Sequence, residues 1–146
     1  MKPLKLLSLI TQFILTSSLI SCSLSKEYDY EDIKEYVVWH PNLSFNLSID
    51  HFLYIYSSYC YHCNSIKQGI LKFRLEENLP IYFYEFNNDI PIINNKEDMI
   101  GIADPDKIGI VGVPSMFVIE DKKITAYLLG GDEILNYLEN FLPIPS

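Results

Sequence analysis

The chain has 146 residues, 49% of them hydrophobic, which suits one compact domain and leaves little room for a second. Its formal net charge is −8; without residues 1–21, which hold Lys2 and Lys5 and no acid, 9 basic side chains face 19 acidic ones and the balance is near −10. Such a balance argues against binding nucleic acid or an anionic membrane through the folded body.

Residues 1–5 carry two lysines, and residues 6–20 are apolar with scattered Ser, Thr and Gln, the layout of a secretory signal peptide. A membrane span wants about 20 predominantly apolar residues. This stretch is shorter and more polar, and a retained signal anchor is the alternative to cleavage. Leu19-Ile20-Ser21-Cys22 resembles the lipobox of bacterial lipoproteins: a branched residue, a small one, then the cysteine that is acylated before cleavage. That resemblance implies a signal peptide at 1–21, a lipid on Cys22, a tether at 22–26 and a folded domain at 27–146. It also implies attachment to the bacterial cell membrane through Cys22, on the extracytoplasmic face. An ordinary cleaved signal with a spare cysteine is the competing reading. Outside the cytoplasm thiols escape the cytosolic reductants, so a cysteine pair there can cycle.

Residues 27–38 begin acidic and set Tyr30, Ile33 and Val37 on one face, which predicts a first helix ended by Trp39-His40-Pro41. Trp39 reads as a core or lid aromatic. Leu43, Phe45, Leu47 and Ile49 then alternate with polar residues, a period of two that predicts an edge strand or extended loop. Phe52-Leu53-Tyr54-Ile55-Tyr56 is a strand-type run. Past a short Ser57-Ser58-Tyr59 turn, Ile66, Ile70 and Phe73, with Leu71 and Leu75, recur at helical spacing; Gly69 predicts a bend and Asn78-Leu79-Pro80 a stop. Residues 81–86 form a second strand, so the run is a parallel βαβ unit. A polar loop over 87–95 and a short helix over 96–103 follow. Residues 115–119 and 124–129 make a hairpin through a tight turn at 120–123, and a last helix over 132–142 is capped by Asp132 and ended by Pro143 and Pro145.

The chemistry concentrates in Tyr59-Cys60-Tyr61-His62-Cys63. Two cysteines separated by two residues can close a small ring at the first turn of a helix. There the free backbone N–H groups and the helix dipole favour thiolate, which makes Cys60 the nucleophile. His62, when cationic, adds to that effect. Cys63, one turn further in, resolves a mixed disulfide by attacking Cys60. Half of a zinc site and a structural bridge remain open readings of the pair. Against the first, no second C-x-x-C exists, and His40 and His51 lack ligand spacing to it. Against the second, so short a loop restrains little of the unfolded chain. Tyr59 and Tyr61, flanking the nucleophile, read as an aromatic rim for peptide contact, and Tyr54, Tyr56, Tyr82 and Tyr84 as core or sheet-face residues.

A βαβ unit followed by a β-hairpin and a helix, with C-x-x-C opening the first helix of that unit, resembles the thioredoxin-like fold. Gly112-Val113-Pro114-Ser115 immediately before the third strand is a second match, and Gly130 after the fourth a third. The resemblance covers roughly residues 52–141. It implies an α/β, three-layer α/β/α architecture with a mixed four-stranded central sheet, here with an N-terminal helix and an added edge strand. It further implies a cis Pro114 beside the cysteines and a Val113 backbone that pairs with the substrate's extended chain. The expected activity is thiol-disulfide exchange with exported protein or peptide thiols and disulfides, served by a redox partner protein. No cofactor or metal is expected beyond a redox-active Cys60–Cys63 disulfide, and no nucleic acid.

The chain departs from the family where many thioredoxins bury an acid, at Tyr54, and in having Tyr59 for the usual Trp. Its intervening dipeptide is Tyr61-His62 rather than Gly-Pro, and a histidine in that slot looks like the disulfide-forming or isomerising relatives, which are oxidants. A thioredoxin-fold binding lipoprotein with the cysteines permanently bridged, and a metal-trafficking protein using Cys60, Cys63 and His62, are the alternatives.

Overall fold

The computed structural model describes residues 26–141. The expected signal peptide, Cys22, the tether apart from Lys26, and Pro143 and Pro145 lie outside the described residues.

Four strands, β1 (His51–Tyr56), β2 (Ile81–Glu85), β3 (Ser115–Glu120) and β4 (Lys123–Leu129), form one sheet in the order β2-β1-β3-β4. β1 runs parallel to β2 and antiparallel to β3, and β3 pairs antiparallel with β4. This mixed sheet is the expected thioredoxin-like α/β architecture. All six residues of β1 are buried, because it is a central strand covered on both faces.

On one face Phe52, Tyr54 and Tyr56 meet two helices, α2 (Tyr61–Leu75) and α3 (Gly131–Phe141). α2 buries Cys63, Ile66, Ile70 and Leu71, and each aliphatic side chain contributes about 1.5–3 kcal/mol to its docking. α3 buries Ile134 and Leu138. The other face, with Leu53, Ile55, Phe117 and Ile119, is covered by short pieces: a one-turn helix α1 (Asn42–Phe45) and 3-10 turns at Lys96–Met99 and Pro105–Lys107. The parallel βαβ unit and the β3–β4 hairpin match expectation closely. At the tight turn Asp121 and Lys122 both take positive φ, +48° and +61°, the backbone that a two-residue hairpin between twisted strands requires.

Several expectations are corrected. Over 27–38 the chain forms a 3-10 helix, Tyr30–Tyr36, opened by a capping box of Asp29 and Asp32. It ends early because the β-branched Val37 and Val38 extend along the edge of β2, where Val38 N–H donates to Phe83 O at 2.8 Å. That bridge is the extra edge pairing on the β2 side of the sheet. Residues 43–49 do not supply it, for Pro41 already lies in helical space and Ser44 Oγ donates to Pro41 O at 2.9 Å, winding the chain into α1. Phe45 is consequently buried while Leu43 and Ile49 are exposed.

Gly69 lies inside a continuous α2; the space it leaves is taken by α3, since a Cβ there would sit 3.0 Å from Leu135 Cδ2. The helix expected over 96–103 is only the turn Lys96–Met99, because residues 101–102 leave it to bond the outer edge of β4, with Gly101 N–H donating to Ile124 O at 2.7 Å. α3 starts at Gly131, so Asp132 stands within its first turn rather than capping it, and Ile134 N–H reaches Gly130 O at 3.2 Å. Trp39 is not a core residue: it is 86% exposed.

Candidate active site at the start of helix α2

The backbone carbonyls of Ser57 and Ser58 and the Asn64 amide shape the turn between β1 and α2. Cys60 N–H donates to Ser57 O at 3.0 Å, and Asn64 Nδ2 donates to Ser58 O at 3.0 Å. Cys60 thereby becomes the N-cap of α2, with extended backbone (φ −83°, ψ 119°), and its sulfur takes the role that a serine or aspartate oxygen plays at such a position. Cys63 N–H donates to Cys60 Sγ at 3.2 Å. The turn thus aims a fixed backbone donor at the Cys60 sulfur.

The two cysteines are free thiols with unequal surroundings: Cys60 is half-buried and Cys63 fully buried. Burial first, and then the hydrogen bond with Cys60, push the Cys63 thiol up to about 12. Cys60 is the sulfur an outside disulfide can reach, and Cys63 is held protonated behind it.

Across from the cysteines, the Val113–Pro114 peptide bond is cis, as the resemblance implies. The Cys60 thiol donates to Val113 O at 3.6 Å, which fixes Val113 and Pro114 as the opposite wall of the site. Two residues outside the expected set hold that wall. Val111 N–H donates to Tyr127 Oη at 2.7 Å, the Tyr127 and Ser115 hydroxyls lie 2.9 Å apart, and Ser115 Oγ donates to Gly112 O at 2.5 Å. A serine directly after the Val-Pro pair, with a tyrosine on the neighbouring strand two positions from the serine's partner Leu129, is the sequence signal for this clamp. Gly130, at φ +87°, donates its N–H to Pro114 O at 2.9 Å; only glycine takes that backbone readily.

His62 and Tyr61 are both exposed on the first turn of α2, their rings edge to face at 5.5 Å. Tyr59 is 97% exposed and stands beside Cys60. Tyr54 lies beneath the pair in the same core cluster as Cys63, fully buried, its hydroxyl without a partner among the described residues. Burial and the neighbouring Tyr30 and cysteines push that phenol far up, so it stays protonated. Among the described residues no three His, Cys, Asp or Glu side chains are grouped to hold a metal ion.

No protein-family model and no curated protein matches the chain. Solved structures with a similar fold include a thio-disulfide isomerase from Thermus thermophilus, at 15% identity and TM-score 0.42 over 64% of this chain and 80% of that one. A thioredoxin from Trypanosoma brucei brucei aligns at 15% identity and TM-score 0.44, covering 82% of this chain and 90% of its own. Thioredoxin f from spinach chloroplast, in its long form, aligns at 14% identity and TM-score 0.47, covering 80% and 98%.

Proposed function

We propose that the protein is a thiol-disulfide oxidoreductase, anchored to the outer face of a bacterial cell membrane through lipid on Cys22, that exchanges disulfides with exported proteins through Cys60 and Cys63. The observation that carries the redox reading is the Cys60 sulfur at the N-cap of α2, 3.2 Å from the Cys63 N–H and facing Val113 O beside a cis proline.

In the reducing direction the Cys60 thiolate attacks one sulfur of a substrate disulfide. That S–S bond breaks, one substrate thiolate leaves and takes a proton, and a mixed disulfide remains on Cys60. Cys63 then loses its proton and attacks Cys60 Sγ, closing the Cys60–Cys63 bond and releasing the second substrate thiolate, which is protonated in turn. The substrate's two sulfurs are reduced and the protein's two are oxidised; a redox partner restores the dithiol. Oxidation of a substrate dithiol is the same sequence reversed. His62 in the slot between the cysteines supports the oxidising direction, because a histidine there resembles the disulfide-forming or isomerising relatives.

Trapping tests the proposal. Cys63→Ser should accumulate mixed disulfides through Cys60 with exported proteins, and Cys60→Ser should abolish them. No adduct with any exported protein, together with insulin reduction that Cys60→Ser leaves unaltered, would defeat it. For the anchor, palmitate labelling should vanish in Cys22→Ala; equal labelling of that variant would refute lipidation.

A further inference from the structure

Val113, whose carbonyl faces the Cys60 sulfur, is shared by the walls of two depressions. The first, of about 710 Å³, has Trp39, Tyr59, Cys60 and Glu85 in its wall. The second, of about 630 Å³, has His62, Pro114, Asp132 and Glu133. A chain laid across the saddle between them would set its sulfur on Cys60 and its neighbouring residues in the two hollows.

Apart from the His62 imidazole in the second, the titratable carboxyl and amino side chains lining both hollows are all acidic. Glu85, Asp132 and Glu133 contribute carboxylates, and no lysine or arginine lines either depression. Glu133 is spoken for: Lys96 Nζ lies 2.8 Å from its Oε1, and its other oxygen accepts the Leu129 N–H at 2.8 Å. Glu85 accepts only a 3.3 Å contact from Ser58 N–H, and Asp132 is exposed and in no ion pair among the described residues. One available carboxylate therefore stands in each hollow. Tyr59, 97% exposed, and Trp39, 86% exposed, line the first hollow, and Tyr61, 79% exposed, follows Cys60 on the first turn of α2. Exposed aromatics grouped at one place mark a contact surface, and each ring face also attracts a lysine or arginine head.

We infer that the saddle selects extended polypeptide segments whose reacting cysteine is flanked by lysine or arginine, with Glu85 reading one side and Asp132 the other. This specificity rests on the disulfide-exchange function proposed above. It acts on the encounter and on the orientation of the incoming sulfur, so it appears in the rate of mixed-disulfide formation.

The test uses Cys63→Ser protein and three matched cysteine peptides, flanked by Lys, Gln or Glu and activated as 2-pyridyl disulfides. The Cys60 thiolate attacks the peptide sulfur, the S–S bond breaks, and pyridine-2-thione leaves with a proton and is read by absorbance. The Lys peptide should react about tenfold faster than the Glu peptide at low ionic strength, with the ratio falling to about twofold in molar salt. Adding Glu85→Gln and Asp132→Asn should cut the ratio at least about threefold, whereas Glu77→Gln with Glu139→Gln, an equal charge change on α2's C-terminal side and on the outer surface of α3, should retain it. A ratio near one, or equal loss with both pairs, would overturn the inference while brisk reaction with the Gln peptide left the redox function standing. No reaction with any of the peptides would overturn both.

Discussion

Tyr54 and Tyr84 offer the same substitution with opposite expected sign. Both are fully buried tyrosines in adjacent strands, paired one position apart in register (Tyr54 opposite Phe83, Ile55 opposite Tyr84). The Tyr54 hydroxyl meets no partner among the described residues, whereas the Tyr84 hydroxyl donates to the Asp89 carboxylate and lies 3.5 Å from Asn87 Oδ1. A buried hydroxyl without a partner costs about 1–3 kcal/mol of desolvation. Tyr54→Phe removes that penalty and keeps the ring, which stacks on Tyr56 at 5.8 Å and meets Phe83 edge to face at 5.8 Å. It should stabilise the fold by about 1–2 kcal/mol. Tyr84→Phe breaks a charge-assisted bond and should destabilise by about the same amount. With a urea slope of about 1–3 kcal/mol/M, the unfolding midpoints should part in opposite directions by roughly 0.5–1 M each, measured with the cysteines kept reduced. A lower midpoint for Tyr54→Phe would show that its hydroxyl is hydrogen-bonded in solution and would refute the reasoning.

Three further outcomes follow from the geometry. Resolution of a mixed disulfide on Cys60 waits for the Cys63 proton, whose thiol is pushed up to about 12, so its rate should climb about tenfold per pH unit from neutrality to pH 9; stopped-flow fluorescence that plateaus near neutrality would contradict this. His51 is 2% exposed, and burial lowers its pKa from the usual 6.5. Below 6.5 the unfolded chain binds a proton that the folded one refuses, so denaturant stability should fall as pH drops through the range just under 6.5, and His51→Phe should flatten that dependence. The carboxylates with lowered pKa, Asp29, Asp104 and Glu133, lose their contribution at more acid pH, so the two windows separate. Gly131→Ala should lower stability by about 1–3 kcal/mol, since its Cβ would come 2.6 Å from Ile66 Cγ2 where α3 crosses the helix that bears the cysteines; an unchanged midpoint would mean that the helices part freely.

What was legible in the sequence is what strong periodicity and turn chemistry encode locally. The run from Phe52 to Tyr56, the apolar spacing of Ile66 and Ile70, and the Asp121-Lys122 hairpin each agree with the neighbours they pack against, so pattern and fold coincide. The failures fall where tertiary contacts outweigh a weak local pattern. The alternation from Leu43 to Ile49 reads as a strand, yet a strand needs a free sheet edge, and β2's edge is already taken by Val37 and Val38. Gly69 reads as a bend because glycine weakens a helix, but its cause is the close passage of Leu135, 66 positions later, which no local window contains. The clamp of Tyr127 and Ser115 was missed for the same reason: each residue suits its strand, and only the register of β3 against β4 brings their hydroxyls together behind Pro114.

The unequal cysteines are a consequence of where a helix begins. At the N-cap a side chain folds back over the first turn and stays partly open to solvent, while three residues on the chain has completed most of a turn and faces the sheet. Any pair at this spacing, set where β1 hands over to α2, acquires one accessible sulfur and one buried sulfur without further design. Because Cys63 N–H serves as the donor to Cys60 Sγ, in the proposed exchange the residue assigned to displace the substrate also steadies the assigned nucleophile beforehand. Moving either cysteine by one position would break both relations at once, since a shift of one residue turns a helical side chain by about 100°. The Tyr61-His62 dipeptide is then free to vary in the solvent-facing arc between them, and it is in that arc and in the flanking hollows, rather than in the sulfurs, that this chain can be told apart from others of its fold.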